Sequence, residues 1–189
     1  MATAVDTDIA ENLSRVQKKI QQCAESAGRD SNSIQLIAVS KTRALDEVKT
    51  ALMAGQKCFG ENTIQDAMSK IPYLHETDLE WHFIGHLQSK KAGKIPGYFQ
   101  WIHSVDSIKL AEKLSSAMSK HTNTSFLNCL IQVNVSGEDS KFGLPPSEVK
   151  PFIENLLDLN LPCLNSVSYT HLTLPTTIPS CRSRWSPYH

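Results

Sequence analysis

At 189 residues the chain is long enough for one domain of ordinary size with a real core. Lysine plus arginine equals aspartate plus glutamate at 19 each, which excludes a general basic field for nucleic acid or an anionic membrane. No apolar run reaches the length of a membrane span, and residues 1–6 lack the charged and apolar regions of a signal peptide. The five cysteines (Cys23, Cys58, Cys129, Cys163 and Cys181) are odd in number and scattered, with no Cys-x-x-Cys pair. They read as reduced thiols in the cytoplasm, not as a disulfide frame or a zinc site.

In chain order, Ile9, Leu13, Val16, Ile20 and Cys23 recur at helical spacing over 9–27, and Gly28 is a natural stop. Residues 34–39, with one polar residue among six, predict a strand buried on both faces, as in a parallel sheet. A short helix over 46–54, a strand at 58–62 and a helix over 63–74 follow, with Pro72 ending or kinking the last turn. Strands are expected at 81–86 and 100–105, separated by a short basic helix at 88–94. Ser107 is placed to cap a helix carrying Ile108, Ala111, Leu114 and Met118 on one face. The fifth strand, 125–135, alternates with Cys129, Ile131 and Val133 on one side. A helix over 147–159 and the start of a sixth strand at 161–164 complete the pattern.

Strict alternation of strands with longer helices means right-handed βαβ units on a parallel sheet. An open doubly wound sheet and a (β/α) TIM-type barrel both fit. The barrel is preferred because polar residues stand at several successive strand exits, where a shared site would collect. It is expected to be incomplete, with about the first five to six βα units, leaving sheet edges prone to aggregation. From Ser166 the chain becomes rich in serine, threonine and proline, has no acidic residue and keeps no period. The expected division is a partial barrel at 1–165 and an unrelated or artefactual tail at 166–189, from a frameshift, an alternative exon or appended adapter sequence.

Lys41 stands at the exit of the first strand. A lysine held there, half-withdrawn from water, offers the neutral amine that a Schiff base needs; the competing expectation is a lysine reaching into solvent. Glu61 and Asn62 at the second exit could orient a ligand ring or the lysine; the competing expectation is plain turn chemistry. His82 and His86 are four apart, but in a strand that spacing spans roughly 13 Å, too far for one ion. No metal site is therefore expected, and His82 reads as an interior histidine first and a ligand contact second. Gly85 allows close backbone approach or a bend. Gln88, Lys90, Lys91 and Lys94 read as a solvated helix face. Lys141, in a glycine-bounded loop at the fifth exit, faces an anion in one reading and solvent in the other.

Taken in order, Ala-Val-Ser-Lys-Thr (38–42), Phe-Gly-Glu-Asn (59–62), Trp-His-Phe-Ile-Gly-His-Leu-Gln (81–88), His-Ser-Val-Asp-Ser (103–107) and the stretch 132–144 form a set. That set resembles the pyridoxal phosphate homeostasis protein family over about 9–165. The resemblance implies a barrel like the N-terminal domain of alanine racemase, with pyridoxal 5'-phosphate held as a Schiff base on Lys41. It implies cofactor contacts from Asn62, His82, Gly85 and Ser104, no catalytic residue, and a role in vitamin B6 homeostasis without turnover. The small-molecule cofactor is the expected partner, with neither nucleic acid nor membrane. Two alternatives stay open: a racemase-like enzyme of fold type III, or a fragment that no longer binds the cofactor. The family's late motifs, which hold the cofactor phosphate, do not occur in these residues. No tyrosine stands near a strand exit in 1–165 to serve as a racemase's second acid/base; Tyr73 and Tyr98 fall elsewhere.

Overall fold

The computed structural model describes residues 4–74, 78–121, 126–161 and 163–171, with side chains described between residues 8 and 165 of those ranges. Helix α1 (Ala4–Ser26) leads into the sheet, and Gly28 ends it in the left-handed conformation at φ 65°. The rest alternates as expected, except that a 3-10 helix, Ser89–Lys94, takes the place of an α-helix between the third and fourth strands: β1 (Ala38–Val39), α2 (Leu45–Met53), β2 (Cys58–Glu61), α3 (Ile64–Met68), β3 (Glu80–Phe83), β4 (Trp101–Val105), α4 (Ile108–Ser119), β5 (Leu127–Val133), α5 (Val149–Asp158) and β6 (Leu164–His171). All pairings are parallel and the sheet order is β1-β2-β3-β4-β5-β6. Each strand lies beside its successor with no reversal of order. That is the winding of a (β/α) barrel and not of a doubly wound sheet, although the sheet does not close on itself among the described residues.

The core lies between the helices and one sheet face. Phe59, Trp81, Phe83, Ile102, Val105, Cys129, Ile131 and Val133 meet Val48, Ala51, Ala67, Leu110, Leu114, Met118 and Phe152 there. Phe59 stacks on Trp81 with centroids 5.3 Å apart, and Phe83 meets Phe99 edge-on at 5.4 Å. Strand alternation sends Cys58, Glu80, His82, Trp101 and His103 to the other face, where His82 stacks on Trp101 at 5.5 Å.

Four expectations need correction. The first strand is not buried on both faces: only 38–39 join the ladder, and Val39 is 50% exposed. It is an edge strand with β2 as its one neighbour. Residues 34–37 are tied down by side chains instead, with the Gln56 amide donating to the Leu36 and Cys58 carbonyls at 2.7 Å. The helix expected over 63–74 stops at Met68, and Pro72 lies inside a separate 3-10 turn, Ile71–Tyr73. Ser107 occupies the N-cap position of α4, but its hydroxyl makes no capping bond. The sixth strand does not break off at Ser166: it pairs with β5 through His171. Parallel pairing uses backbone groups, and Val167, Tyr169 and Thr170 are good strand formers, so an irregular side-chain pattern is no obstacle. Residues 172–189 of the expected tail lie outside the described residues.

Candidate functional site at the strand exits

Lys41 follows β1 in a tight turn, closed by the Arg43 N–H donating to the Ser40 carbonyl at 3.0 Å. It is exposed, the competing expectation, because among the described residues β1 is an edge and no strand covers its outer side. Its amine makes no hydrogen bond or ion pair with a described residue. Next to it Thr42 adopts φ 61°, a left-handed backbone that a β-branched residue takes only under constraint. The constraint is visible: the Thr42 N–H donates to Asp66 Oδ2 at 2.7 Å. The turn is thus anchored to α3.

Beneath the turn lies a buried charged network. Glu61, fully buried, accepts from the Ser40 hydroxyl at 2.6 Å and from the Lys70 ammonium at 2.8 Å on the same oxygen, Oε1. Lys70, 2% exposed, also donates to the Ser40 carbonyl at 2.7 Å and lies 3.0 Å from Asp66 Oδ1. Burial pushes the Glu61 carboxyl above its ordinary pKa, against the pull of Lys70 and Ser40. Burial works the same way on Asp66, but the Thr42 N–H, Lys70 and Glu61 outweigh it and hold that carboxyl below the usual range. The second Glu61 oxygen, Oε2, is buried and has no partner among the described residues. Glu61 therefore orients the lysine turn through Ser40, one of the two roles the sequence suggests for it.

The other exits are drawn together by backbone contact and ring stacking. A Cβ on Gly85 would fall 2.0 Å from the Asn62 carbonyl oxygen, so the third exit lies directly against the second. The space that glycine opens there is filled by the protein's own backbone. His86 stacks flat on Phe142 of the loop after β5, with centroids 3.7 Å apart, and its Nδ1 lies 3.7 Å from Asp106 Oδ2 after β4. Burial raises the Asp106 carboxyl, partly offset by His86. Asn134 organises the loop, donating to the Glu138 carbonyl at 3.0 Å and accepting from the Gly137 N–H at 3.1 Å. Lys141 lies inside that loop, 3.2 Å from Glu138 Oε1, and does not reach out as a free surface lysine. Ser104 is buried with its hydroxyl unpartnered among the described residues.

Of the expected contacts, the structure brings Lys41, Asn62 and Gly85 to the C-terminal rim of the strands. His82 is not among them: its ring nitrogens face His103, at 3.0 Å, and Glu80 at the start of β3, at 3.9 Å. Burial and the neighbouring His103 lower its pKa to about 4, so the ring is neutral near pH 7. Gln88, Lys90 and Lys94 are exposed, as a solvated face should be; Gln88 and Lys90 line a cleft of about 880 Å³ with Lys109, Lys113 and Lys120, between the 89–94 turn and α4. Sequence reasoning missed Lys70. Its signal is Asp66 four positions earlier, the spacing of a helical ion pair.

The alanine racemase N-terminal domain family matches residues 11–174. A pyridoxal phosphate homeostasis protein of Pseudomonas aeruginosa is 43% identical over 151 residues, 80% of this chain and 65% of that protein. One from Haemophilus influenzae is 38% identical over 162 residues, 85% of this chain and 68% of that protein. PipY of Synechococcus elongatus, solved with PLP bound, is 32% identical with a TM-score of 0.69, covering 85% of this chain and 72% of that one. The chain spans about two thirds of the length of the curated relatives it matches. It belongs to the alanine racemase N-terminal domain family, on its pyridoxal phosphate homeostasis branch.

Proposed function

We propose that this chain binds pyridoxal 5'-phosphate as a Schiff base on Lys41 and serves intracellular vitamin B6 homeostasis without turnover of its own. The observation that carries the reading is a primary amine at a strand exit, free of competing partners, on a turn fixed from below by the Ser40–Glu61–Lys70 network. The surrounding groups fit such a cofactor: Glu61 Oε2 and the Ser104 hydroxyl are buried with hydrogen-bonding capacity to spare, and Asn62 follows Glu61 at the second exit. When bound, the cofactor supplies an aldehyde that condenses with amines and an electron-withdrawing ring. Lys41 holds it, Asn62, Ser104 and the backbone at Gly85 orient it, and Glu61 acts on the amine through Ser40. We leave His82 out of this site, because its ring nitrogens face His103 and Glu80.

Two features favour a carrier over an enzyme. The relatives are homeostasis proteins, and PipY was solved with PLP bound. Of the tyrosines in residues 1–165, Tyr73 precedes β3 and Tyr98 precedes β4, at the strand starts and so at the opposite end from Lys41. A cytoplasmic setting agrees with the unpaired cysteines Cys23, Cys58, Cys129 and Cys163. No helix among the described residues is long and apolar enough to cross a membrane. The test is the visible spectrum after adding the cofactor and removing the excess, followed by borohydride reduction and peptide mapping. Label on the Lys41 peptide, absent in Lys41→Ala, is expected; label spread over surface lysines would overturn the assignment.

A further inference from the structure

We infer that Cys58, Glu80 and His82 form a zinc site on the inner face of the sheet, near the strand starts and separate from the Lys41 rim. The three candidate ligand atoms lie within 4.8 Å of one another. Cys58 Sγ is 3.6 Å from Glu80 Oε2, and His82 Nε2 is 3.9 Å from the same oxygen. Around a tetrahedral zinc ion with ordinary bond lengths, ligand atoms stand about 3.3–3.6 Å apart, so the two Glu80 pairs are within a few tenths of an ångström of that spacing and the Cys58–His82 pair has at most about 1.2–1.5 Å to close. The ladder explains the convergence. Cys58 and Glu80 are direct partners across β2 and β3, and His82 follows Glu80 by two, on the same face.

A second observation points to a ligand. His82 is 1% exposed, yet its Nε2 has no hydrogen-bond partner among the described residues. A buried polar nitrogen left so is rare and calls for an occupant. The other ring nitrogen, Nδ1, is engaged with His103 Nε2 at 3.0 Å, and the ring is clamped by Trp101. With Nδ1–H donated to His103, the Nε2 lone pair is aimed at Glu80, which is how outer-shell partners orient a metal-binding histidine.

A third observation shows where positive charge is wanted. The Gln35 amide nitrogen sits 2.9 Å from Cys58 Sγ and 2.6 Å from Glu80 Oε2, a donor bridging the two acceptors that a cation would bridge. Gln35 is exposed on the segment before β1, so it is free to swing aside, or to turn its carbonyl oxygen inward, as the ion enters. On binding, the Cys58 thiol proton leaves to solvent and the Zn–S bond forms. Thiolate and carboxylate then balance the dication, and the neutral imidazole adds no charge. A charge-neutral site of mixed sulfur, nitrogen and oxygen donors suits zinc over magnesium or calcium. The fourth position falls to Gln35 Oε1 or water.

The experiment uses the full chain, stripped of metal and titrated with cobalt(II) chloride as a spectroscopic stand-in for zinc; it is independent of cofactor binding. One equivalent of cobalt giving a thiolate charge-transfer band and tetrahedral visible bands, displaced by zinc, is expected. The band should vanish in Cys58→Ser and persist in Cys23→Ser, whose sulfur is exposed on α1. Glu80→Gln, at a half-exposed side chain, should fold normally and weaken cobalt binding at least tenfold. His103→Gln, acting through His82, should weaken it about 10–100-fold. No thiolate band at equimolar cobalt, or a band that survives Cys58→Ser, would overturn the proposal. So would unchanged affinity in Glu80→Gln with native circular dichroism.

Discussion

Two polar clusters occupy the first three strands, and they are built on opposite principles. The network of Ser40, Glu61, Asp66 and Lys70 gives the buried ammonium three partners, the Ser40 carbonyl and two carboxylates, all at 3.0 Å or less. The cluster of Gln35, Cys58, Glu80 and His82 leaves a buried imidazole nitrogen without a partner. The first network closes around its donor, the Lys70 ammonium, although Glu61 Oε2 has no partner among the described residues, and it fixes geometry, here the turn that presents Lys41. An open one keeps bonding capacity for something from outside. Burial alone does not tell them apart; the accounting of donors and acceptors does.

The contrast is broken most forcefully at Lys70. Lys70→Met leaves Glu61 buried without its counter-charge and should cost about 3–5 kcal/mol in urea unfolding. Adding Glu61→Leu to that variant should recover most of the loss, because two apolar groups replace the buried pair, and the one charge left, Asp66, is partly exposed and still accepts from the Thr42 N–H. A loss that stays the same in the double variant would mean that packing, not charge, is the role of Lys70.

The next largest effect concerns a thiol that belongs to neither cluster. Burial pushes Cys129 up to about 12 from an ordinary 9.0. A group whose folded value is raised adds stability below its unfolded value and loses it as pH climbs toward the folded one. The window is therefore pH 9 to 12, over which the folded state stands to lose up to about 4 kcal/mol. Denaturant melts of the chain and of Cys129→Ala across that window should differ in slope, with the variant flatter. A matching slope would show that water reaches this sulfur.

Gly85→Ala comes third. Its Cβ would collide with the Asn62 carbonyl, so one exit must move by more than an ångström. About 1–3 kcal/mol of destabilisation is expected, with reduced cofactor uptake at the rim, read by thermal melting and absorbance. The smallest effect on stability belongs to Lys41→Ala. An exposed side chain without partners should change unfolding by no more than about 0.5 kcal/mol while abolishing cofactor attachment. That divergence between stability and binding separates a presented residue from the network presenting it.

The sequence made the strand–helix alternation and the exits readable, because apolar runs such as Trp81–Ile84 end in polar residues at recognisable places. It also misled at particular points. Ile34, Leu36 and Ile37 read as a strand with two buried faces, yet all three are only half-buried, since an edge strand has nothing to cover its outer side. Lys41 and Glu61 could be found because each follows its own strand. Lys70 and the Cys58–Glu80 pairing could not, because they depend on register: which residue of β2 faces which of β3 is decided by three-dimensional pairing, and no local pattern reports it. The closure of the Asn62 exit by Gly85 was hidden for the same reason.

The order of the sheet, β1 to β6 in strict succession, bears on how the chain is made. Every strand finds its partner in the unit synthesised just before it, so no pairing waits for a distant segment to emerge. Each βα unit has a finished template to dock against within some tens of residues, which keeps each loop closure short. A growing chain of this kind can assemble from its first strand onward, and at every stage the newest strand is the edge that the following strand covers, while β1 stays the fixed edge at the other side.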